Sequence, residues 1–250
     1  MEYLKFLLIG VVGGTVSGFF GIGGGIVMIP LLVYFVGVEL KAATAMSMVQ
    51  IVFSSISGTL FNYFQKTINF KYSAYFGVSA AAFSFLGSYL TKYIPNLAIK
   101  IIYLFAVIAS LILFFLRRKI EDKNLDGSEV RFYKIMPVGA VAGFTAGLLG
   151  VGGGFLFVPA LLFFCSLPMK IAVGTSLGAI IFVSIPGVIG KVISVDFDVV
   201  LAIAIGIGAV GGSKLGTYLN RKVNSKIIRI FFALLLLTMI TRVLIDLLNH

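Results

Sequence analysis

The sequence predicts an all-α, polytopic membrane protein made of two homologous halves, and three observations predict it. First, 60% of the 250 residues are hydrophobic and only 12% are charged, about half the roughly 25% charge of an ordinary soluble domain; mean hydropathy is +1.11. Second, apolar runs of the length a helix needs to cross a bilayer, about 20 residues, recur from end to end. A transmembrane β-barrel would instead show short segments of alternating hydrophobicity. Third, one glycine-rich phrase occurs twice. Gly18-Phe19-Phe20-Gly21-Ile22-Gly23-Gly24-Gly25-Ile26-Val27-Met28-Ile29-Pro30 returns 129 residues later as Gly147-Leu148-Leu149-Gly150-Val151-Gly152-Gly153-Gly154-Phe155-Leu156-Phe157-Val158-Pro159.

The offset holds without a gap well beyond the motif. Lys5 matches Lys134, Lys41 matches Lys170, Ser47 matches Ser176, and Gly87-Ser88-Tyr89-Leu90 matches Gly216-Thr217-Tyr218-Leu219. The chain therefore reads as a first repeat over 1–116, a polar linker over 117–134, and a second repeat over 135–250. The linker contains Glu121, Asp122, Lys123, Asn124, Asp126 and Glu129, too polar for hydrocarbon, and is expected at the surface.

Four apolar blocks follow in each half, over about 4–36, 43–64, 72–92 and 98–116, then 135–165, 171–190, 199–219 and 227–248. The first block of each half is too long for one crossing, and its glycine cluster divides it. It is either one long broken helix or a hairpin that returns to the side it came from. Cytoplasmic loops collect Lys and Arg, which favours the hairpin. With a return, Lys66, Lys71, the six basic residues of the linker region, Lys170, Arg221, Lys222, Lys226 and Arg229 share one side, and Lys5, Lys41, Lys92, Lys100, Lys191 and Arg242 the other. Each half then makes an odd number of crossings. The copies become inverted repeats, a common basis for alternating access. The linker side is expected to be cytoplasmic and both termini outward, in a multi-pass protein of the cytoplasmic membrane.

The net charge of +11 does not indicate nucleic acid, because the basic residues are scattered through short loops between apolar runs. The single cysteine, Cys165, lies in an apolar run and supports neither a disulfide framework nor a metal site. No catalytic triad, metal cluster or nucleotide loop is visible, and no enzyme activity or cofactor is expected. The first apolar run carries the first copy of the motif, so it is expected to belong to the mature fold and not to a cleaved leader.

The chemistry is expected at the glycine clusters. Each Gly in a helix costs about 1 kcal/mol relative to Ala, and paired interruptions in corresponding positions point to a transport site. In hydrocarbon, irregular backbone is tolerated only when buried in protein or lining a polar cavity. A helix resuming after each cluster would present free N–H groups and a partial positive charge. Gly21, Gly23, Gly24 and Gly25, with Gly150, Gly152, Gly153 and Gly154, are thus candidate substrate-binding residues. The glycines spaced by four, Gly10, Gly14, Gly18 and Gly139, Gly143, Gly147, carry instead the pattern of close helix packing. In the second block Ser47, Gln50, Ser54 and Ser57 share one helical face. The copy keeps Thr175 and Ser176 but has Ala179 in place of Gln50. Ser47, Gln50, Thr175 and Ser176 are candidate ligands, with helix–helix hydrogen bonding the competing use. Lys214 lies inside an apolar block; an intramembrane cation is a functional candidate by default, with snorkelling to the interface the alternative. Carboxylates are nearly absent from the blocks, so no proton relay is visible. A small anion is the expected substrate, with a proton as the candidate coupling ion.

Two copies of G-x-x-G-[IV]-G-G-G-x-x-x-x-P, each followed by an amphipathic helix in a chain of this length, resemble the TauE/SafE sulfite exporter family over essentially the whole sequence. The resemblance implies a secondary transporter for a sulfur oxyanion or organosulfonate such as sulfite. An anion channel using the same breaks as a filter is the alternative.

Overall fold

The computed structural model describes residues 2–116 and 132–248. The expected linker lies, up to residue 131, outside the described residues. Ten helices follow in order: α1 (Glu2–Phe20), α2 (Gly25–Pro30, continuing as a π-helical stretch over Leu31–Val36), α3 (Leu40–Phe64), α4 (Phe70–Leu90), α5 (Asn96–Leu116), α6 (Phe132–Leu149), α7 (Gly154–Phe164), α8 (Met169–Ser194), α9 (Val199–Lys222) and α10 (Ser225–Leu248). Six of them, α1, α3, α5, α8, α9 and α10, are long and apolar enough to cross a membrane, and the fold is that of a multi-pass α-helical membrane protein. Shifting the first five by 129 residues gives the second five, and the glycine clusters separate α1 from α2 and α6 from α7.

Local chemistry explains the boundaries. Asn69 and Asp198, equivalent in the two halves, cap α4 and α9: their side chains accept from the backbone N–H of Tyr72 and Leu201 at 3.2 and 2.9 Å, satisfying orphan donors of the first turn. Proline acts inside α2 and α7. Pro159 has no N–H for the carbonyl of Phe155, and the Ser110 hydroxyl of α5 donates to that oxygen instead. At the equivalent Pro30 the chain widens into the π-helical stretch. One boundary differs from expectation. The second block of the second half was expected to end at residue 190 with Lys191 in a loop, but α8 continues through Lys191 to Ser194. Val192 and Ile193 extend the apolar run, and the chain does not turn until Val195.

Side-chain register gives each helix a direction. α2 folds back along α1, so that Gly24 lies against the carbonyl of Gly13 and Phe6 shares a cluster with Met28 and Leu32. The chain thus returns toward the end of the bundle where α1 starts, here called the near end. α3 and α8 run antiparallel: Thr44 meets Lys191, Met48 lies beside Gly187, Leu177 beside Gly58, and Asn62 beside Gly174. α1 runs parallel to α9, with Gly10, Gly14 and Gly18 against the backbone of Ile205, Ala209 and Ser213. α6 runs along α4 in the same way, with Gly143 and Gly147 against Ala80 and Ser84. These glycines do what their spacing predicts, since only a missing side chain permits such approach. The first helix of each half packs on the fourth helix of the other half, so the halves are interlocked.

The hydrogen bonds between halves come in reciprocal pairs. Ser84 donates to Val183 O at 2.7 Å and Ser213 to Ser54 O at 2.8 Å. Ser88 donates to Gly147 O at 3.0 Å and Thr217 to Gly18 O at 3.5 Å. When i binds j+129 and i+129 binds j, a two-fold axis relates the partners. α3 and α8 lie against this axis and are the most enclosed of the six long apolar helices. α5 and α10 are outermost and present Phe105, Ile112, Ile230, Phe231 and Leu234 on the surface, an apolar face suited to lipid.

Candidate functional site

The two glycine clusters cross at the centre of the bundle. Gly21, Gly23 and Gly24 hold φ of 72, 86 and 82°, and Gly150, Gly152 and Gly153 hold 69, 82 and 73°, the left-handed region that L side chains avoid. The crossing is tight. A Cβ added at Gly23 would sit 3.5 Å from the Cα of Gly152, and one at Gly25 would sit 2.6 Å from the carbonyl oxygen of Gly150. Gly154 meets Gly21 and Ile22 in the matching way. Neither α2 nor α7 has a side-chain cap at its start.

Serines hold the crossing together. Ser47 donates to Gly150 O at 2.8 Å, and Ser176 donates to Gly21 O at 2.6 Å. The third helix of each half, α3 or α8, thereby ties down the break of the other half. Ser54 adds a 3.4 Å contact to Gly23 O and accepts from Ser17 at 3.1 Å. Gln50 is fully buried beside Gly24 and Gly13, and neither atom of its carboxamide has a hydrogen-bond partner. A buried amide without partners costs stability and is the most exceptional polar group of the crossing.

Two expected ligands lie elsewhere. The Thr175 hydroxyl accepts from the backbone N–H of Asn69 at 3.0 Å and so holds the turn before α4. Lys214 is exposed on the outer face of α9, with its Nζ 5.2 Å from the ring centre of Phe61. Helix periodicity explains this. Gly212, Ser213, Gly216, Thr217 and Asn220 form the buried face of α9, and residue 214 points about 100° away from its neighbour Ser213. Ser57 likewise serves packing, donating to Val210 O at 2.9 Å.

Among the described residues, the cation buried in the protein is Lys191, expected from the sequence in a loop. It is fully buried, and its Nζ donates to Thr91 Oγ1 at 2.8 Å, Thr44 Oγ1 at 2.9 Å and Leu148 O at 3.0 Å. The signal in the sequence was weak: an apolar run that resumes as Val192-Ile193 after one charge. Its partners lie 43, 100 and 147 residues away.

A cavity of about 550 Å³ runs from the near end to the crossing. Exposed Tyr34, Leu97 and Arg242 stand at its mouth, and buried Gly25, Thr44, Leu149 and Val151 at its floor. Lys100 and Arg242 bring positive charge to its lining, which among the described residues contains no carboxylate. The guanidinium of Arg242 lies 4.3 Å from the ring centre of Tyr34. The cavity exists because the outer helices pack differently. α5 packs along α7, whereas the matching α10 packs on α5 and α8 and leaves a gap beside α2.

The family described as sulfite exporter TauE/SafE matches residues 6–243. The chain is 30% identical over 260 residues to the probable membrane transporter protein YunE of Bacillus subtilis, covering 95% of each. It is 27% identical to a probable membrane transporter protein of Methanocaldococcus jannaschii, over 92% of this chain and 91% of that one. It is 28% identical to the probable membrane transporter protein YdhB of Bacillus subtilis, over 81% and 84%. No solved structure matches. The doubled glycine break, the interlocked halves and this full-length similarity lead to one assignment: the chain belongs to the TauE/SafE sulfite exporter family of membrane transporters.

Proposed function

We propose that the protein is a secondary transporter that moves a small anion, of the sulfur-oxyanion or organosulfonate class, by alternating access between inverted repeats. The antiparallel course of α3 and α8 supports inversion. So does the return of α2 along α1, which leaves three crossings in each half. Removing Lys191 from the loops also sharpens the charge asymmetry, with the linker end still the more basic and therefore cytoplasmic. The cavity then faces outward.

The observation that carries the reading is the inequality of two gaps. On one side of the crossing, α10 stands off α2 and the cavity is open. On the other, α5 closes on α7, with Ser110 bonded to the Phe155 carbonyl and Tyr103 in ring contact with Phe155. Repeats related by a two-fold axis can exchange these arrangements, so that closing the first gap opens the second. A carrier is favoured over a channel because the cavity stops at Gly25 and Val151. The glycine floor, Ser47, Ser176 and the unpartnered Gln50 are the groups expected to meet the anion during passage.

The test is flux of radiolabelled sulfite, thiosulfate and sulfoacetate into vesicles containing the purified protein, with and without an imposed pH gradient. Saturable flux without electrical conductance is expected, and acceleration by the gradient would identify the proton as coupling ion. Conductance without saturation would replace the carrier with a channel. No flux of any of these anions would remove the substrate class.

A further inference from the structure

We infer that Lys191, as its ammonium, makes the floor of the near-end cavity an electrostatic receptor for an anion, acting through Thr44. The inference rests on the transport reading for the identity of the anion, but not for the charge.

The hydrogen bonds fit the charged form. An ammonium has three donors and no acceptor. All three partners of the Lys191 nitrogen are acceptors: the Leu148 carbonyl can only accept, and both threonine hydroxyls spend their own hydrogens elsewhere. Thr44 Oγ1 donates to Lys41 O at 2.7 Å, and Thr91 Oγ1 donates to Gly87 O at 3.2 Å or to Leu148 O at 3.3 Å. A neutral amine would instead need one threonine hydroxyl to turn and donate to it. The arrangement as it stands matches the three donors of –NH₃⁺.

It is not satisfied in charge. Every partner is neutral, and no carboxylate stands among them. The last carbonyls of α6 supply the negative end of a helix dipole, which offsets only part of the cost of taking an ammonium out of water. What remains is a buried positive charge seeking an anion, and the space beside it is the cavity. Thr44 bonds Lys191 and lines the cavity floor together with Gly25, Leu149 and Val151. The ammonium is therefore one hydroxyl behind the cavity wall. An anion at the floor would feel it at low dielectric, where charge interactions are far stronger than in water, while Lys100 and Arg242 draw anions to the mouth. The other half has no such device, since the position equivalent to Lys191 is Asn62.

The single native cysteine allows a direct test. In a Cys165→Ala background, Ile29→Cys places a thiol on the half-buried cavity wall. Its labelling rates with an anionic sulfonatoethyl and a cationic trimethylammonioethyl methanethiosulfonate are measured in the intact protein. The ratio of the two rates cancels the reactivity of the thiol itself and reports local potential. The ratio is expected to favour the anionic reagent and to fall about tenfold in Lys191→Met. Lys191→Gln, which keeps two donors, is the second variant if the first does not fold. An unchanged ratio in the variant that folds overturns the inference. The transport reading fails separately. If Lys191→Met collapses the ratio but sulfite, thiosulfate and sulfoacetate all leave labelling of the parent unchanged, the charge stands and the proposed substrate class falls. If these anions slow labelling equally in the parent and in Lys191→Met, the substrate class stands and the role of Lys191 falls.

Discussion

Residues 62 and 191 occupy the same place in the two halves, and the contrast between them describes the molecule. Asn62 satisfies itself locally: its amide donates to Gly58 O at 2.7 Å and accepts from Thr67 at 2.7 Å. Lys191 reaches outward to Thr44, Thr91 and Leu148 on other elements and stands one hydroxyl from the cavity. The surrounding scaffold is shared almost bond for bond. Ser47 and Ser176, Ser84 and Ser213, and Ser88 and Thr217 make the same contacts in each copy, and Thr91 and Asn220 each donate to the end of the opposite first helix, at Leu148 O and Phe19 O. The serine and threonine bonds that tie helix to helix come in pairs, while the buried cation Lys191 and the unpartnered amide Gln50 face different residues, Asn62 and Ala179, in the other half. Two-fold architecture and one-sided chemistry are thus separable, and substitutions can test each.

The largest effect is expected at the crossing, where the halves should respond alike. Gly25→Ala and Gly154→Ala each drive a methyl into the backbone of the other break, overpacking that costs about 1–3 kcal/mol or more. Both should melt far below the parent in a thermal unfolding experiment, and a benign result at either position would break the two-fold description. Next comes Thr91→Val. It leaves one Lys191 donor unmet in a buried site and should cost about 1–3 kcal/mol, again read by thermal unfolding. The equivalent change, Asn220→Leu, removes a neutral amide and should cost less. Ser47→Ala and Ser176→Ala should each cost about 1 kcal/mol, and a clear inequality between them would show that one break is held by other means. Gln50→Leu should leave stability nearly unchanged, because it removes a polar group that has no partner, yet should lower anion flux in vesicles. Equal flux would remove Gln50 from the pathway. The smallest effect is expected for Lys214→Ala, which forfeits an exposed cation–π contact worth about 0.5–1 kcal/mol and should leave flux intact.

Much of this was legible in the residues. The glycine triplets mark the breaks because three consecutive glycines exceed what helix packing requires, and the four-residue spacing of Gly10, Gly14 and Gly18 marks the interface with α9. The return of the first block was legible from loop charge. What the sequence misplaced were the two lysines. Lys214 draws attention because it interrupts an apolar run flanked by glycines, yet its helical phase turns it outward. Lys191 looks like a loop residue because it follows Gly190 near the end of a block, and nothing local announces its burial. The threonines and the carbonyl that receive it come from three other helices, and such a pocket exists only after the halves interlock.

That interlocking has a consequence for how the protein is made. The contact of Phe19 with Asn220 spans 201 residues of chain, and the glycine face of α1 has its whole partner on α9. α1 therefore leaves the ribosome with a bare, small-residue groove that nothing yet synthesised can fill. The groove must persist in the lipid, or be shielded by another protein, until the ninth helix emerges. Pairings so distant in sequence close slowly, and they make the synthesis of α9 the step on which packing of the first helix waits.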